Sequence, residues 1–176
     1  MRKIPTVFAR DPDDMRHVTR QLNPEAAWVL DGEGVATRKF DGTCTMLDGE
    51  GRWWARREVR QGKPFPANYR PEETDPNTGK TVGWEPIEQS PFVKAFGTVT
   101  DVPTTPGTYE LCGPKVNGNP EGYDEHVLVP HGLFRIGDVP LDYDGLAEYM
   151  ADTTYEGIVW HHPDGRMAKL KRRDFT

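Results

Sequence analysis

Apolar and polar residues alternate along much of the chain, and a period of two residues predicts β-strands. In the first half, the alternation predicts strands at Ala27–Leu30, Val35–Phe40, Thr43–Leu47 and Arg52–Val59. In the second half, it predicts strands at Thr108–Cys112, Val127–Val129, Leu133–Ile136, Gly157–His161 and Arg166–Lys171. Turn-forming residues at 48–51 and 162–165 separate two pairs of these strands, so we expect a hairpin at each turn.

The segments between the strands have other patterns. Residues 1–25 are polar and interrupted by prolines, which predicts a lead-in with one short helix. Prolines among polar residues predict a long surface loop over 60–86, and loops of this length are usually functional or mobile. The spacing of apolar residues predicts a helix over 142–151 and a shorter helix over 87–97.

Composition also favours a sheet-rich fold. The 176 residues include 18 glycines and 16 prolines but only 35% hydrophobic residues, and helical bundles do not have this composition. We therefore expect an α+β fold of antiparallel sheets with flanking helices, in which residues 1–26 form a lead-in and residues 27–176 form one domain. The net charge of −6 means that any polyanion must bind a local basic patch.

Residue identities argue against several common kinds of site. The run at 75–81 resembles the end of a P-loop, but Thr74 occupies the position of the first glycine. Ser90 is the single serine and lacks the flanking glycines of a nucleophile elbow. Cys44 and Cys112 form no spacing motif, which indicates free thiols in a reduced, cytoplasmic compartment. No apolar run approaches the ~18 residues that a membrane span needs.

The run Lys39-Phe40-Asp41-Gly42-Thr43 is a candidate nucleophile motif. In a strand, Lys39 and Asp41 face one side while Phe40 faces the other side, toward the core. Gly42 allows a sharp turn and a close approach of the backbone. An unprotonated lysine amine can attack an α-phosphorus, and neighbouring cations or a metal lower the pKa of such a lysine. Taken alone, the run is more typical of a surface lysine beside an Asp-Gly turn.

Two further segments contain charged residues in predicted strands. Arg56 and Arg57 end the strand after the first hairpin, and a guanidinium can bind phosphate or a ribose hydroxyl. A charged edge strand is the simpler alternative. Glu110 interrupts an apolar strand, where its carboxylate suits a sugar hydroxyl or a metal-bound water. A half-exposed strand position is the alternative for Glu110.

The last predicted hairpin also carries charge. Glu156 precedes an apolar strand, beside a glycine that leaves room for a ligand. Lys169 and Lys171 lie on one face of the final strand, while Ala168 and Leu170 lie on the other. Two ammonium groups close to the Glu156 strand suit a phosphate, although a basic C-terminal edge explains them equally well.

Taken together, these segments resemble the covalent nucleotidyltransferases, which include RNA ligases, DNA ligases and mRNA capping enzymes. The resemblance runs from about residue 33 to the C-terminus. Four motifs match in order, namely Lys39-Phe40-Asp41-Gly42-Thr43, Tyr109-Glu110-Leu111-Cys112-Gly113, Glu156-Gly157-Ile158-Val159 and Lys169-Leu170-Lys171. Val-Asn-Gly-Asn-Pro and Leu-Val-Pro-His-Gly further resemble small single-domain RNA ligases that use ATP.

The resemblance implies an ATP-grasp-like nucleotidyltransferase domain of the RNA/DNA ligase type over 27–176, without an OB-fold domain. It implies that Lys39 forms a lysyl-AMP, that the adenylate moves to an RNA 5′-phosphate, and that a 3′-hydroxyl then displaces AMP. Lys169 and Lys171 would act on the α-phosphate. In relatives with an OB-fold, that domain helps to orient pyrophosphate, so here the N-terminal segment, the 60–86 loop or a partner protein must do so.

The resemblance also implies the cofactors and their ligands. ATP is the expected nucleotide, and Mg²⁺, with Mn²⁺ as the alternative, is the expected metal. Glu110 and Glu156 would hold the metal, directly or through water, and Glu110 would otherwise hold the ribose. Phe134 is the first choice for stacking on adenine, with a core phenylalanine as the alternative. The implied nucleotide-binding residues are Thr37, Lys39, Asp41, Arg56, Glu110, Phe134, Glu156, Lys169 and Lys171.

The expected partners are RNA ends with a 5′-phosphate and a 3′-hydroxyl. No association with a membrane is expected. The run from Arg166 to Arg173 holds five cations and is the expected contact for the RNA backbone. Two alternatives remain open within the enzyme class, a DNA ligase domain and a GTP-dependent capping-type domain. A third alternative is a nucleotide- or RNA-binding module that has lost turnover.

Overall fold

The computed structural model describes residues 1–176 and consists mainly of antiparallel strands. The strands are β1 (Phe8–Arg10), β2 (Val18–Leu22), β3 (Val35–Lys39), β4 (Thr43–Leu47), β5 (Trp53–Val59), β6 (Arg70–Thr74), β7 (Thr81–Pro86), β8 (Gly107–Cys112), β9 (Val127–Pro130), β10 (Gly157–His161) and β11 (Met167–Lys171). The helices are α1 (Ala27–Leu30), α2 (Val93–Phe96) and α3 (Tyr143–Asp152), with 3-10 turns at Pro24–Ala26, Ile87–Gln89 and Arg172–Asp174. The predicted α+β class with antiparallel sheets is confirmed.

The chain divides into two compact units. The six-stranded unit comprises Met1–Lys3 and Asp41–His131, and the three-stranded unit comprises Ile4–Phe40 and Gly132–Thr176. Each unit therefore contains two separate stretches of the sequence. None of the helices has the length and the apolar character that crossing a membrane requires.

The three-stranded unit is built on the antiparallel sheet β11-β10-β3, with β1 and β2 as a separate pair. One face of the sheet is apolar because alternate residues point the same way, and Ile158, Trp160 and Leu170 on this face are buried. Helix α3 contributes Leu146 and Met150, four residues apart, to the same core. The other face carries the alternate residues, which include the candidate lysines.

Helix α3 begins where its sequence provides a cap. The Asp142 carboxylate accepts a hydrogen bond from the Gly145 amide at 2.8 Å, which satisfies one free N–H of the first turn. The helix spans Tyr143–Asp152, one residue later than the predicted range. The prediction of a helix here is confirmed.

The six-stranded unit contains one antiparallel sheet in the order β6-β7-β5-β4-β8-β9. Leu47, Tyr109 and Leu111 on one face pack in a core with Ala95 of α2. Ala55 of β5 is opposite Thr45 of β4, so the next residue, Arg56, lies on the same face as Cys44. Cys44 is opposite Glu110 of β8, so Arg56 and Glu110 share the face away from this core.

Two predictions in the first 30 residues need correction. The expected lead-in contains the strands β1 and β2, and Val7, Phe8 and Val18 are buried in the core of the three-stranded unit. The predicted strand Ala27–Leu30 is a helical turn instead. The preceding 3-10 turn explains this, because Asn23 caps it through the Glu25 amide and Pro24 is preorganised for its first position.

Two other segments also differ from their predictions. Residues 70–86 of the predicted 60–86 loop form a hairpin of β6 and β7, in which Pro71 is tolerated because β6 is an edge strand with a bulge after this residue. The predicted strand Leu133–Ile136 makes only a single bridge, between Thr37 and Arg135. Its backbone still pairs with β3, since the Arg38 amide donates to the Phe134 carbonyl at 2.8 Å.

Candidate functional site

Lys39, Gly157 and Lys171 lie in one row across the three-stranded sheet. Gly157 of β10 is in register with Lys39 of β3 on one side and with Lys171 of β11 on the other. Residues in register share a face, so both lysine side chains leave the sheet on the side away from the core. Gly157 contributes no side chain between them.

The carboxylate of Glu156 joins the two lysines. Its Oε2 lies 2.5 Å from Nζ of Lys39, and its Oε1 lies 2.7 Å from Nζ of Lys171. The three side chains are only 13 to 20% exposed, so these ion pairs are largely shielded from solvent. Lys39 also donates a hydrogen bond to the Phe40 carbonyl at 3.4 Å. Glu156 is therefore the counter-ion for both cations.

Burial and charge act in opposite directions on the carboxyl group of Glu156. Burial raises its pKa, but the positive charge of Lys39 and the hydrogen bond from Lys171 lower it more, and the net pKa lies below the ordinary value. Glu156 is thus an anion at neutral pH. Its ion pair stabilises the ammonium form of Lys39, which is the form that does not attack phosphorus.

The backbone of β11 lies too close to residue 157 for any side chain larger than that of glycine. A Cβ on Gly157 would lie 2.1 Å from the Leu170 carbonyl oxygen and 2.9 Å from Cα of Lys171. The space beside this glycine is therefore filled by the β11 backbone, whereas the sequence interpretation expected it to admit a ligand.

The next row of the same face contains Thr37, Val159 and Lys169. Thr37 is buried, donates its hydroxyl to the Val159 carbonyl at 2.9 Å, and contacts Nε2 of His161 at 3.1 Å. The backbone of Lys169 is held by residues 5 and 7 through two hydrogen bonds. Three lysines, Lys39, Lys169 and Lys171, thus share one face within two rows.

Phe134 and Arg135 lie on opposite sides of this sheet. Arg135 bridges to Thr37 and so lies on the lysine face. Phe134 lies on the other face, where its ring contacts the ring of Phe40 at 5.0 Å between centroids. The structure therefore does not bring the Phe134 side chain together with Lys39. Arg135 was missed because only strand pairing reveals its neighbour.

Glu110 occupies the middle of β8 in the six-stranded unit and is buried. Its Oε1 accepts a hydrogen bond from the Gly42 amide at 3.1 Å, and its Oε2 lies 2.7 Å from Nε2 of His131. The other ring nitrogen of His131 contacts the Thr108 hydroxyl at 2.9 Å. Both carboxylate oxygens therefore have protein partners. His131 belongs to the Leu-Val-Pro-His-Gly motif, which the sequence interpretation noted without giving the histidine a role.

The turn at Asp41 and Gly42 is held by a distant loop. Glu121 accepts the Asp41 amide at 2.8 Å. The Asn117 side-chain amide donates to the Gly42 carbonyl at 2.7 Å and to the Asp41 carboxylate at 3.3 Å. Asn117 and Glu121 were also missed. Their signal was the Val-Asn-Gly-Asn-Pro motif, which contains Asn117 and directly precedes Glu121.

Arg56 and Arg57 point to opposite faces of β5. Arg56 lies on the face of Glu110, and its Nε donates to the Met1 carbonyl at 3.4 Å. Arg57 lies on the other face, with Nη1 3.5 Å from Oε1 of the buried Glu85. The two arginines, although adjacent in the sequence, therefore have different neighbours.

Glu110 and Glu156, the predicted metal ligands, offer the carboxylate oxygens that Mg²⁺ prefers. No group of three or more His, Cys, Asp or Glu residues could hold a metal ion. Mg²⁺ commonly needs only one or two carboxylates, with waters and phosphate oxygens as its other ligands. Glu110 and Glu156 fit this arrangement chemically, provided that one of their present partners is displaced.

Comparisons with known proteins point in one direction. The RNA ligase 1 family matches residues 97–176, a range that contains Glu110, Glu156, Lys169 and Lys171. RNA ligase 1 of Rattus norvegicus is 27% identical, in an alignment that covers 97% of this chain and 79% of the rat protein. RNA ligase 1 of Mus musculus has the same identity and coverage. RNA ligase 1 of Danio rerio is 40% identical over 74 residues, which are 37% of this chain and 23% of that protein. These similarities support a relationship between this chain and the RNA ligases.

Proposed function

We propose that this chain is an ATP-dependent RNA ligase that joins 5′-phosphate and 3′-hydroxyl ends through a covalent lysyl-AMP on Lys39. The observation that carries the proposal is the shared carboxylate of Glu156, which holds Lys39 and Lys171 side by side at 2.5 and 2.7 Å. We also propose the nucleotidyltransferase fold of RNA and DNA ligases, which the antiparallel sheets and the order of the motifs support.

In the first step, Lys39 becomes a nucleophile. A proton must leave its ammonium group, and Oε2 of Glu156 is the acceptor already hydrogen-bonded to it. The free amine then forms a P–N bond with the α-phosphorus of ATP, and its nitrogen releases a second proton to solvent. The bond from that phosphorus to the bridging oxygen breaks, and pyrophosphate leaves with the electron pair.

Lys171 and Lys169 stabilise the charge that develops on the α-phosphate. Once Glu156 has taken a proton, its attraction for Lys171 falls, so the Lys171 ammonium can turn to the phosphate. Lys169 shares the same face one row away. Fixed positive groups near a developing charge commonly provide the largest part of such catalysis.

The remaining steps return Lys39 to its starting state. An oxygen of the RNA 5′-phosphate attacks the adenylyl phosphorus, the P–N bond breaks, and the Lys39 nitrogen takes up two protons, one from Glu156 and one from solvent, which restores its ammonium group. The 3′-hydroxyl oxygen of the second end then attacks the 5′-phosphate and releases AMP, while the hydroxyl proton goes to solvent. Mg²⁺ or Mn²⁺, held by a carboxylate and by phosphate oxygens, would neutralise the pyrophosphate.

Covalent labelling tests this proposal. The protein is incubated with α-³²P-ATP and Mg²⁺ and is then separated on a denaturing gel. We expect label on the wild type, none on Lys39→Ala, and wild-type label on the control Lys63→Ala, which changes an exposed lysine. Label retained on Lys39→Ala would contradict the proposal. Lys169→Ala and Lys171→Ala should each lower the labelling rate by roughly 10²–10³-fold, as the loss of one charge-stabilising donor does.

Substrate comparisons separate the proposal from its alternatives. Label from GTP instead of ATP would favour a capping-type enzyme. Sealing of nicked DNA but not of nicked RNA would favour a DNA ligase, and a single labelling event without repeated sealing would favour a binding module. The roles of Asp41, Arg56 and Glu110 in nucleotide binding stay predictions, and the KM for ATP of each alanine variant tests them.

A further inference from the structure

An open cavity of about 450 Å³ lies within the six-stranded unit. It is formed at the beginning of β5, the segment before β6 and the end of β7. Its volume lies in the range of cavities that bind small organic groups. The lining residues are Arg52, Trp53, Trp54, Asn68, Tyr69, Arg70, Pro86 and Glu88.

Arg70 forms one wall of the cavity, and its guanidinium is held in place by its neighbours. The guanidinium lies over the ring of Trp54, 3.9 Å from the ring centroid. Asp48 holds both groups, since its Oδ2 accepts Nε1 of Trp54 at 2.9 Å and Nη1 of Arg70 at 3.5 Å. The Arg70 side chain nevertheless remains 49% exposed, so its outer side is free to contact a ligand.

The other walls combine rigid rings with hydrogen-bonding groups. The Tyr69 hydroxyl donates to the Arg57 carbonyl at 2.8 Å, which fixes the ring. Trp53 also lines the cavity, and its ring contacts the ring of Tyr109 at 5.4 Å between centroids. Asn68 and Glu88 are exposed, and their side chains offer a neutral amide and a carboxylate.

We propose that this cavity binds an unpaired base of the RNA strand to be joined. The base stacks on the outer side of the Arg70 guanidinium, and the Asn68 amide and Glu88 carboxylate bind its edge. Guanidinium planes and aromatic rings are common stacking surfaces for bases that have left a duplex. Arg52 adds a second cation that suits the adjoining phosphate. This inference rests on the proposed RNA ligase function.

The chemistry of the cavity suits a nucleic-acid base better than a nucleotide triphosphate. Arg70 pairs with Asp48 at 3.5 Å and Arg52 pairs with Glu50 at 3.3 Å, so with Glu88 on the wall the cavity has no net positive charge for a triphosphate. A single-stranded nucleotide carries one phosphate, which suits Arg52, and one planar base, which suits Arg70.

Fluorescence anisotropy with labelled RNA tests the inference. One probe is a duplex with an unpaired overhang, and the other is a blunt duplex of the same length. We expect Arg70→Ala to weaken binding of the overhang roughly 5- to 100-fold, the range measured when a stacking partner of one base is removed. Arg60→Ala, which changes an exposed arginine outside the cavity, should leave both affinities unchanged.

Arg70→Lys is the second variant. It keeps the charge but removes the planar group, so the overhang should again bind more weakly. Overhang binding at the wild-type level in either variant would overturn the inference. Equal losses of affinity for the overhang and blunt probes would also overturn it, because they would indicate phosphate attraction alone. Covalent AMP labelling of the wild-type protein distinguishes the two proposals. If label is absent, the ligase function fails, and if label is present with unchanged overhang binding, only the base site fails.

Discussion

Glu156 and Lys39 form an ion pair of 2.5 Å although they are 117 residues apart in the sequence. The second oxygen of the same carboxylate binds Lys171 at 2.7 Å. One carboxylate therefore forms ion pairs with two cations on a sheet face that also carries Lys169. The Lys39 ammonium group therefore has an anionic partner in this structure.

The first prediction concerns the charge of Glu156. Glu156→Gln keeps the shape but removes the negative charge that pairs with Lys39 and Lys171. We expect the free energy of unfolding to fall by about 1–3 kcal/mol, somewhat less than when a fully buried pair loses one partner. Urea denaturation measures the change. The control Glu148→Gln alters an exposed glutamate of α3 and should stay within about 0.5 kcal/mol of the wild type. Equal stability of wild type and Glu156→Gln would show that the ion pairs contribute nothing.

The second prediction concerns pH. The pKa of Glu156 is lowered in the folded protein, so the unfolded chain binds its proton more readily. The stabilisation by Glu156 is therefore fully present above the ordinary value of 4.5 and is lost as pH falls through the lower folded pKa. We expect the stability difference between wild type and Glu156→Gln to be constant near neutral pH and to shrink in acid. Urea titrations between neutral pH and acid test this, and a gap that stays constant in acid would contradict it.

The third prediction concerns Gly157. A methyl group at this position would lie 2.1 Å from a backbone oxygen of β11, and backbone cannot move aside as a flexible side chain can. We expect Gly157→Ala to destabilise the protein by about 2–3 kcal/mol, as overpacked sites do. Gly137→Ala is the matched control, because nothing lies within 4 Å of its added Cβ. Thermal unfolding of both variants measures the difference, and similar melting temperatures would refute the close approach.

The fourth prediction concerns the clamp on the Asp41–Gly42 turn. Asn117→Asp replaces an amide donor with a carboxylate, which then faces the Asp41 carboxylate and the Gly42 carbonyl. The resulting repulsion should move the turn, which begins two residues after Lys39. We expect the AMP-labelling rate to fall roughly 10- to 100-fold, since small displacements of reacting groups have effects of this size.

The matched control for this clamp is Asn77→Asp, which changes an exposed asparagine in the turn between β6 and β7. It should label like the wild type. Glu121→Gln, which keeps an oxygen acceptor for the Asp41 amide, should label faster than Glu121→Ala. If the two Glu121 variants label at the same rate, the hydrogen bond to Asp41 has no role in placing the turn.

The hairpin of β10 and β11 shows how far local patterns reach. Alternation in the sequence placed Ala168 and Leu170 inward and Lys169 and Lys171 outward, and the burial of these residues agrees. The segments at 27–30 and 60–86 were assigned wrongly for local reasons. Ala27–Leu30 has only four residues, too few for the spacing of apolar residues to distinguish a strand from a helical turn. Pro71 argued against a strand, but β6 is an edge strand, where proline is tolerated.

The sequence by itself determined the strands that present Lys39, Glu110, Lys169 and Lys171, because the side-chain period of a strand is a local property of the backbone. Only the tertiary structure decided which of these residues meet. The register of β3 with β10 brings Lys39 to Glu156, and the loop after β8 brings Asn117 and Glu121 to the turn at Gly42. Such pairings depend on contacts between distant segments, which compete with many alternative arrangements and leave no periodic signal along the chain.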